Sequence, residues 1–535
     1  MKSRTLRLAA LVGAAGALAV AIAGAAGAGA PGTFTTQPAM LKSSVSGASI
    51  KPLVSVGDRL ANGYRFEAIP DGIALQENGN GTVDLFVNHE TSLVPFPFTG
   101  NVGTCTATTC FSDFDNAQVS RIRLHQSNAG VLSGEIALPS SANYQRFCSN
   151  FMAGDEHGFR RSILLTNEEA TDFVSPPPLA AWPPDPTNQR QAGLVVGLDA
   201  RNGKRYEIPG LGRMNHENTV VVPGPWNGIV AVTGDDTFTA PSSQLYLYSA
   251  ASDDAFLADQ GSLWAFRATA KNGAPVTPGN AFNGANDYGD IAVGDTISGA
   301  FIEVPRAIAL GDQTGLENWS NANNVFQFIR VEDLAYDRTN PRIVYFADTG
   351  EPRAVASATT GRLARGPSGT QGLYPNGRIF KIVLNANDPK VVDSLTILVN
   401  ADLGGYNNPG VLHNPDNVDT SAGSLMIQED PGSHNGGAAF TNARVWQYVL
   451  GTGTLSPVAE VDQSLVPASP KGSWESSGIA DASAVFGPGT WFLDVQAHTL
   501  FVESEVRTVT VGSASGPITF KREGGQLLLL TIPGS

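Results

Sequence analysis

Histidine, cysteine and charge are all scarce in this 535-residue chain, which has seven histidines, three cysteines and only 16% charged residues. Beyond about residue 30 it also lacks any apolar stretch of membrane-spanning length, so we expect the mature chain not to associate with a membrane. Positive charge is the scarcer sign, with 34 Lys and Arg against 49 Asp and Glu and a net charge of −15. Because nucleic-acid backbones attract basic surfaces, this balance excludes nucleic acid as a partner.

The N-terminal segment has the composition of an export signal. Three basic residues within the first seven positions precede an uncharged run rich in Ala, Gly and Leu, which is typical of a signal peptide. We therefore predict a signal peptide over residues 1–30, a mature chain over residues 31–535, and a location in the periplasm, at the cell surface or outside the cell. A retained membrane anchor is the alternative. Removing the signal leaves 31 Lys and Arg against 49 Asp and Glu, a net charge of −18.

The three cysteines divide unevenly. Cys105 and Cys110 lie five positions apart in a polar loop rich in Gly and Thr, and a disulfide between them suits an oxidising compartment. Cys148 then has no partner within the chain. An odd cysteine in an exported protein is a buried thiol, an intermolecular bond or a metal ligand, and the residues alone leave these three readings open.

The local patterns predict an all-β fold. Gly and Pro are plentiful, at 59 and 34 residues, and short β-branched or aromatic runs recur between turn signals. No linker divides the mature chain, so we expect one domain over residues 31–535 built from repeats. An acidic or amide residue, an apolar strand, a turn and a second strand ending in an acid recur along the chain. The segments with this pattern are Ile69–Glu90, Arg160–Glu169, His216–Asp236, Val331–Asp348, Pro415–Asp430 and Glu475–His498.

Further strand-like runs follow the repeats and bring each of them to about four strands. These runs are Gln244–Tyr248, Ser262–Arg267, Gly377–Val383 and Val445–Val449. Radial repetition of four-stranded sheets is a β-propeller, in which the innermost strands surround a central channel. We therefore predict a six-bladed β-propeller, and we expect it to be a monomer. The inserts Thr91–Asn143 and Phe173–Arg190 are expected to form long loops over one mouth of the channel.

Acidic residues recur where the innermost strands should converge. The motifs are Asn88-His89-Glu90, Asn167-Glu168-Glu169, Asn215-His216-Glu217, Arg330-Val331-Glu332-Asp333 and Pro415-Asp416-Asn417. Each one alone is typical of a solvated carboxylate. Together at one end of a channel they would repel one another and resist ionisation. Hard cations with oxygen ligands remove that repulsion, so the pattern predicts bound Ca²⁺.

The histidines near predicted strand ends are His89, His216, His413, His434 and His498. We expect His89 and His216 to support the adjacent carboxylates through hydrogen bonds rather than to bind a metal directly. For His498 and Glu475 we expect a structural or supporting role. No G-x-S-x-G motif is present around Ser476, which argues against a serine hydrolase.

With these motifs in place, the chain resembles the PhoX family of alkaline phosphatases over most of residues 58–533. The elements that carry the resemblance are Asn88-His89-Glu90, Cys148, Thr166-Asn167-Glu168-Glu169, Gly212-Arg213-Met214-Asn215-His216-Glu217, Arg330-Val331-Glu332, Pro415-Asp416-Asn417 and Met426-Ile427-Gln428-Glu429-Asp430. The resemblance implies a six-bladed propeller that hydrolyses small phosphorylated substrates.

The resemblance also implies a metal set, namely two irons and several calcium ions around a bridging oxygen. Carried over by motif, the expected Fe³⁺ ligands are Glu90, Cys148, Glu217 and Glu332. The expected Ca²⁺ ligands are Glu168, Glu169 and Asp416. The resemblance thus gives the unpaired Cys148 a function, since a thiol beside cations loses its proton.

Two residues are expected to act on the substrate. Arg330 could hold two phosphate oxygens through its planar guanidinium, and Glu332 would place a metal beside them. The alternative for Arg330 is an ion pair that only orients Glu332. Phosphate monoesters hydrolyse extremely slowly without a catalyst, and a cluster of cations would stabilise the charge that the reaction develops.

Two other functions fit the same residues. One is a calcium-dependent lactonase or arylesterase, in which calcium polarises an ester carbonyl. The other is a calcium-stabilised propeller without catalytic activity that binds a glycan or a protein at its mouth.

Overall fold

A computed structural model describes residues 34–94, 102–174, 190–237, 243–276, 286–358, 362–405, 408–432, 441–511 and 514–533. The predicted signal peptide and His434 lie outside these residues, as does most of the Pro-rich insert that begins at Phe173.

Strands dominate the described chain. They are β1 (Leu41–Ser43), β2 (Ser49–Ser55), β3 (Pro70–Glu77), β4 (Thr82–His89), β5 (Phe111–Asp113), β6 (Gln118–His125), β7 (Val131–Leu138), β8 (Phe147–Ala153), β9 (Ile163–Glu168), β10 (Phe173–Val174), β11 (Arg190–Gln191), β12 (Val195–Asp199), β13 (Arg205–Glu207), β14 (His216–Val221), β15 (Ile229–Asp235), β16 (Leu245–Ala250), β17 (Ser262–Lys271), β18 (Ala274–Pro275), β19 (Ile297–Glu303), β20 (Val331–Tyr336), β21 (Ile343–Asp348), β22 (Ala354–Ala356), β23 (Leu363–Arg365), β24 (Arg378–Leu384), β25 (Val391–Asn400), β26 (Pro415–Thr420), β27 (Ser424–Glu429), β28 (Arg444–Val449), β29 (Thr454–Val461), β30 (Glu475–Asp481), β31 (Thr490–Val511) and β32 (Ala514–Thr531).

Helices are short. They are α1 (Asp253–Leu257), α2 (Arg306–Ala309), α3 (Gln313–Ala322) and α4 (Ser483–Phe486). Short 3-10 turns lie at Val102–Thr104, Ser140–Ala142, Asp155–His157, Pro209–Leu211, Tyr288–Asp290, Ala401–Gly404 and Gln463–Leu465. Within the described ranges, no helix has the length and apolar character that crossing a membrane requires.

The described strands form six four-stranded blades. From the channel outwards the blades are β3-β4-β6-β7, β8-β9-β12-β13, β14-β15-β16-β17, β20-β21-β24-β25, β26-β27-β28-β29 and β30-β31-β32-β2. Each innermost strand contacts the innermost strand of the next blade, and the last, β30, contacts the first, β3. The ring is therefore closed, and the predicted all-β, six-bladed propeller is confirmed.

The N-terminal strands complete the last two blades. β2 pairs with β32 as the outer strand of the sixth blade, and β1 pairs with β29 at the edge of the fifth. The ring thus joins strands from the two ends of the chain. In addition, β19 pairs with both β17 and β25 and connects the outer edges of the third and fourth blades.

A hydrophobic cluster fills each gap between neighbouring blades. Strand β15, with the sequence IVAVTGD, shows how the sequence produces this arrangement. Successive side chains of a strand point to opposite faces, so Val230 and Val232 pack toward the fourth blade while Ile229 and Ala231 pack toward the second. Both faces of a blade are buried, which explains the continuous apolar runs.

The predicted position of the second repeat, Arg160–Glu169, was wrong. Arg160–Glu169 contains only the second strand of its blade, β9, and the innermost strand is β8, which lies upstream and contains Cys148. Polar residues dilute the apolar pattern of β8, which reads FCSNFMA. The insert Thr91–Asn143 also differs from the prediction, because β6 and β7 within it are the outer strands of the first blade.

A hairpin extends the sixth blade beyond the propeller. Strands β31 and β32 stay paired beyond a register break at Ala497–Phe501, and the far part of β32 pairs in parallel with β5. The predicted disulfide Cys105–Cys110 precedes β5 directly. Cys110 packs with Ile518 and Phe520 of the hairpin, so the disulfide loop is fastened to it.

Replacing both disulfide cysteines by serine is expected to lower the free energy of unfolding by about 2 kcal/mol, the chain-entropy contribution of a loop this short. Denaturant unfolding of the Cys105→Ser/Cys110→Ser variant measures it. A reducing agent should shift the wild type by the same amount and leave the variant unchanged. Equal stability of the two proteins under oxidising conditions would contradict the expectation.

Candidate metal centre

In five of the six described blades, the second residue of the innermost strand has a carboxylate or thiol side chain at the channel. These residues are Asp71, Cys148, Glu217, Glu332 and Asp416. The sixth blade has Ser476 at this place. All of the innermost strands begin at the same end of the channel, so residues separated by hundreds of positions meet there.

A repeated β-bulge positions these side chains. In the first blade Pro70 pairs with His89, and pairing resumes at Ile73 with Val87, so Asp71 and the following glycine both oppose a single residue. In the next four blades, the two residues that follow the first residue of the innermost strand likewise oppose a single residue of the second strand. Bulges re-aim side chains and are common beside active sites. In the sixth blade the shift comes later, between Ser477 and Ile479.

Gly72 shows how tightly the bulges pack. A Cβ atom at this position would lie 2.4 Å from the backbone nitrogen of Asn150 in the next blade. Only glycine allows this approach, which brings Asp71 next to Cys148. The Cys148 Sγ lies 3.5 Å from Asp71 Oδ2 and 3.1 Å from Glu217 Oε1.

A second set of carboxylates follows the second strands of the first three blades: Glu90, Glu169 and Asp236. The backbone N–H of each donates to the carbonyl of the residue just before the innermost strand, which is Ile69, Arg146 and Asn215 respectively. Each of these three blades therefore presents two side chains at the channel end, one from its first strand and one that directly follows its second strand.

The ligand atoms form three overlapping groups, each with its members within 4.8 Å of one another. The groups are Asp71, Glu90 and Cys148; Cys148, Glu169 and Glu217; and Glu217, Glu332 and Asp416. Cys148 and Glu217 each belong to two groups, so the set forms one continuous cluster of seven anionic ligands across five blades. We call it the channel cluster.

Few groups of the described chain neutralise the negative charge of the channel cluster. The carboxylates of Glu169 and Asp416 are buried and have neither a hydrogen bond nor an ion pair within the described residues. Burial, with the neighbouring carboxylates, raises the pKa of Glu90, Glu217 and Asp416 well above the ordinary values. Burial likewise raises the pKa of the Cys148 thiol.

Cations would reverse these shifts. Crowded carboxylates with unused oxygens are the donors that hard cations take, and a metal-bound thiol is deprotonated. The donor set of the channel cluster therefore fits several cations, one of which would be thiophilic.

Among the described residues, Arg330 is the one cation that forms an ion pair with a carboxylate of the cluster. Its Nε and Nη2 each donate to Asp236 over 2.6 Å, and Nη2 lies 3.1 Å from Glu332 Oε1. The guanidinium is buried, and the adjacent carboxylates raise its pKa. Arg330 therefore fixes Glu332 and compensates Asp236.

Glu168 does not reach the channel cluster. Both of its oxygens accept from Arg190 over 2.9 Å, and the backbone N–H groups of Gln145 and Leu194 also donate to it. Asp348 and Glu429 hold the equivalent positions in the fourth and fifth blades. Each accepts a hydrogen bond from the backbone N–H of the residue two positions before the innermost strand, as Glu168 does from Gln145. The carboxylate at this repeat position fixes the chain that enters the blade.

His89 and His216 lie beside cluster ligands and take supporting roles. His89 bonds to the carbonyl of Ala68 and to Ser120, and His216 bonds to Thr233 and to the carbonyl of Gly212. Burial lowers the pKa of both imidazoles to about 4, so they are neutral. They brace the segments beside Glu90 and Glu217 without contacting those carboxylates.

His498 lies at the edge of the cluster. Its Nδ1 is 2.5 Å from Glu523 Oε2 and its Nε2 is 3.4 Å from Glu475 Oε2. These carboxylates raise its pKa, although burial opposes them. The expected supporting role of His498 and Glu475 agrees with this geometry.

The sequence reasoning missed Asp71 and Asp236. Asp71 follows a proline at the start of its strand, as Asp416 does, and this shared Pro-Asp pair was the signal that could have found it. Asp236 follows Asp235 at the end of β15, where Glu169 follows Glu168 in the preceding blade.

Taken together, the closed ring and the channel cluster define the class: a β-propeller protein whose channel end is built to bind metal ions. The family model of alkaline phosphatase PhoX matches residues 168–464, which is more than half of the chain. The chain therefore belongs to the alkaline phosphatase PhoX family, and it is a metal-dependent phosphatase.

One solved structure agrees on the fold. Pseudomonas fluorescens PhoX in complex with vanadate, a transition state analogue, is 17% identical with a TM-score of 0.57, covering 94% of this chain and 97% of that one. A protein of unknown function from Dyadobacter fermentans is 9% identical with a TM-score of 0.39, covering 90% and 98%; this weak likeness carries no argument. The comparison with curated proteins found no match.

Proposed function

We propose that this chain is an exported phosphatase that hydrolyses phosphate monoesters at a mixed iron and calcium site formed by the channel cluster. The observation that carries the proposal is the set of seven anionic ligands, one of them a thiol, gathered within a phosphatase fold. We further propose that the mature protein is a monomer, that it acts outside the cytoplasm, and that its substrates are small phosphorylated molecules.

The ligands divide by chemistry. A thiolate favours a transition metal over calcium, so we assign iron to Cys148 and to Glu90 and Glu217, which share its ligand groups. We also assign it to Glu332, which shares a group with Glu217. Glu169, Asp416 and Asp71 offer only oxygen, which suits calcium. When bound, these cations would polarise phosphoryl oxygens and make water a better nucleophile.

The residues around the ligands hold the site in shape. Arg330 keeps Glu332 in place, and because its guanidinium lies beside a ligand of the cluster, we propose that it also binds phosphate. Gln496 Nε2 donates to Asp71 Oδ2 over 2.8 Å and to Glu90 Oε2 over 3.2 Å. Ser149 donates to Glu217 over 2.9 Å. These donors orient the ligand oxygens before any cation or substrate arrives.

The decisive experiment combines metal analysis with Cys148→Ser. Protein purified without chelator should contain iron and calcium and hydrolyse a chromogenic phosphomonoester but not a carboxyl ester. Cys148→Ser should lose its iron, any thiolate-to-iron absorption and most activity while staying folded, because serine is nearly isosteric. Full activity of this variant, with no iron in the wild type, would contradict the iron assignment. Hydrolysis of the carboxyl ester alone would contradict the phosphatase itself.

Arg330→Ala is expected to lower the free energy of unfolding by about 3–5 kcal/mol, because it leaves the buried carboxylate of Asp236 without its counter-ion. The Arg330→Ala/Asp236→Ala double variant should recover most of this loss but not the phosphatase activity. Denaturant unfolding together with kinetics separates the two effects. Recovery of activity in the double variant would show that Arg330 serves only to compensate Asp236.

A further inference from the structure

A cavity of about 490 Å³ adjoins the channel cluster. Glu90 and Glu169 line it and are also cluster ligands. A phosphoryl group bound at these ligands would therefore have this cavity beside it. Its size falls within the range of about 300–1,000 Å³ that is usual for small-molecule sites.

Residues outside the regular blades build the far walls. They are Val94, which lies beyond β4, Phe111 of β5, and Lys521 and Glu523 of the hairpin extension of the sixth blade. The parallel pairing of β5 with β32 joins them into one wall. The wall is thus an addition to the propeller that covers one side of the metal site.

The basic groups of the cavity are already paired with carboxylates. Lys521 contacts Glu523, and His498 lies 2.5 Å from the same carboxylate. Arg146 contacts Asp172 on the opposite side. A negatively charged leaving group would have to displace one of these carboxylates from its cation, so the pairing disfavours it.

Neutral groups complete the lining. The side chains of Asn215 and Thr171 line the cavity and have no hydrogen bond within the described residues. Ile69, Val94 and Phe111 provide an apolar face. Open amide and hydroxyl groups beside an apolar and aromatic surface suit a ligand with hydroxyl groups on a carbon skeleton.

We propose that this cavity is the leaving-group pocket of the phosphatase and that it takes an uncharged, hydroxyl-bearing alcohol, such as a sugar or polyol. The inference rests on the proposed function, because it assumes that a phosphomonoester binds at the channel cluster. It selects sugar and polyol monophosphates over esters whose leaving group carries a further negative charge.

The test compares three substrates that differ only in the leaving group: glucose 6-phosphate, fructose 1,6-bisphosphate and methyl phosphate. The wild type should have the highest kcat/KM for glucose 6-phosphate. Phe111→Ala and Thr171→Val should each lower kcat/KM for glucose 6-phosphate about tenfold, the usual effect of losing one good pocket contact. For methyl phosphate, which does not fill the cavity, both variants should stay within about twofold of the wild type.

The matched control is Val506→Ala, an exposed residue of the same hairpin that does not line the cavity, and it should leave all three rates unchanged. Should Phe111→Ala fail to fold, Thr171→Val carries the test alone, because valine keeps the shape of threonine. A preference for the bisphosphate, or equal losses for glucose 6-phosphate and methyl phosphate, would overturn the pocket assignment. Absence of hydrolysis of all three substrates by the wild type would instead contradict the proposed function.

Discussion

Removal of bound cations is expected to abolish phosphatase activity and to lower the stability of the protein by several kcal/mol. Cations that bind only the folded state contribute about 4 kcal/mol for each site at a thousandfold excess over Kd, and the channel cluster has ligands for more than one. Without them, buried carboxylates such as Glu169 and Asp416 must take up protons or remain uncompensated.

Thermal unfolding and phosphomonoester hydrolysis, each measured with and without chelator, check this expectation. Added calcium should restore most of the stability, while full activity should also require iron. Chelator saturated with calcium beforehand is the control for direct effects of the reagent. An unfolding temperature that changes neither with chelator nor with added calcium would contradict a cation cluster at the channel end.

Glu217→Gln is expected to lower kcat/KM by more than about a hundredfold, which is the upper range for losing a residue that merely supports a metal ligand. Glu217 belongs to two of the three ligand groups, so losing its charge affects both halves of the cluster. Glutamine keeps the shape of the side chain and should preserve the fold. Kinetics and metal content of the purified variant measure the effect.

Glu168→Gln is the matched control for this variant. The substitution is the same, but Glu168 binds Arg190 and backbone N–H groups outside the channel cluster. It should reduce stability and leave metal content unchanged. The assignment of ligands would be wrong if Glu168→Gln lost metal while Glu217→Gln kept it.

The sequence could not tell which of the adjacent residues Glu168 and Glu169 lies in the channel cluster. Adjacent residues of a strand point to opposite faces, so a shift of one residue exchanges their roles. The sequence predicted both as calcium ligands, whereas only Glu169 lies in the cluster. Nothing in the motif Thr166-Asn167-Glu168-Glu169 reveals the register, which depends on pairing with β8.

The bulges explain why other parts of the site escaped prediction. The strand-turn-strand pattern was strong enough to predict six blades, because both faces of each blade are apolar. A bulge changes the facing of two residues without a clear sequence mark. Asp71 and Asp416 lie in equivalent bulges, and Asp71 was missed because its Pro-Asp pair was not compared with that of Asp416.

Closure of the ring by strands from both chain ends sets an order of events in time. Met40 donates its N–H to Gln526 over 2.8 Å, across a separation of 486 residues, and the cluster ligands run from Asp71 to Asp416. A chain emerging from the ribosome cannot close this ring until β32 has been made, since β2 pairs with it, and contacts between distant residues form slowly. Uptake of the full set of cations is consequently a late step in maturation, and a chain that stops short of β32 should be unable to retain them.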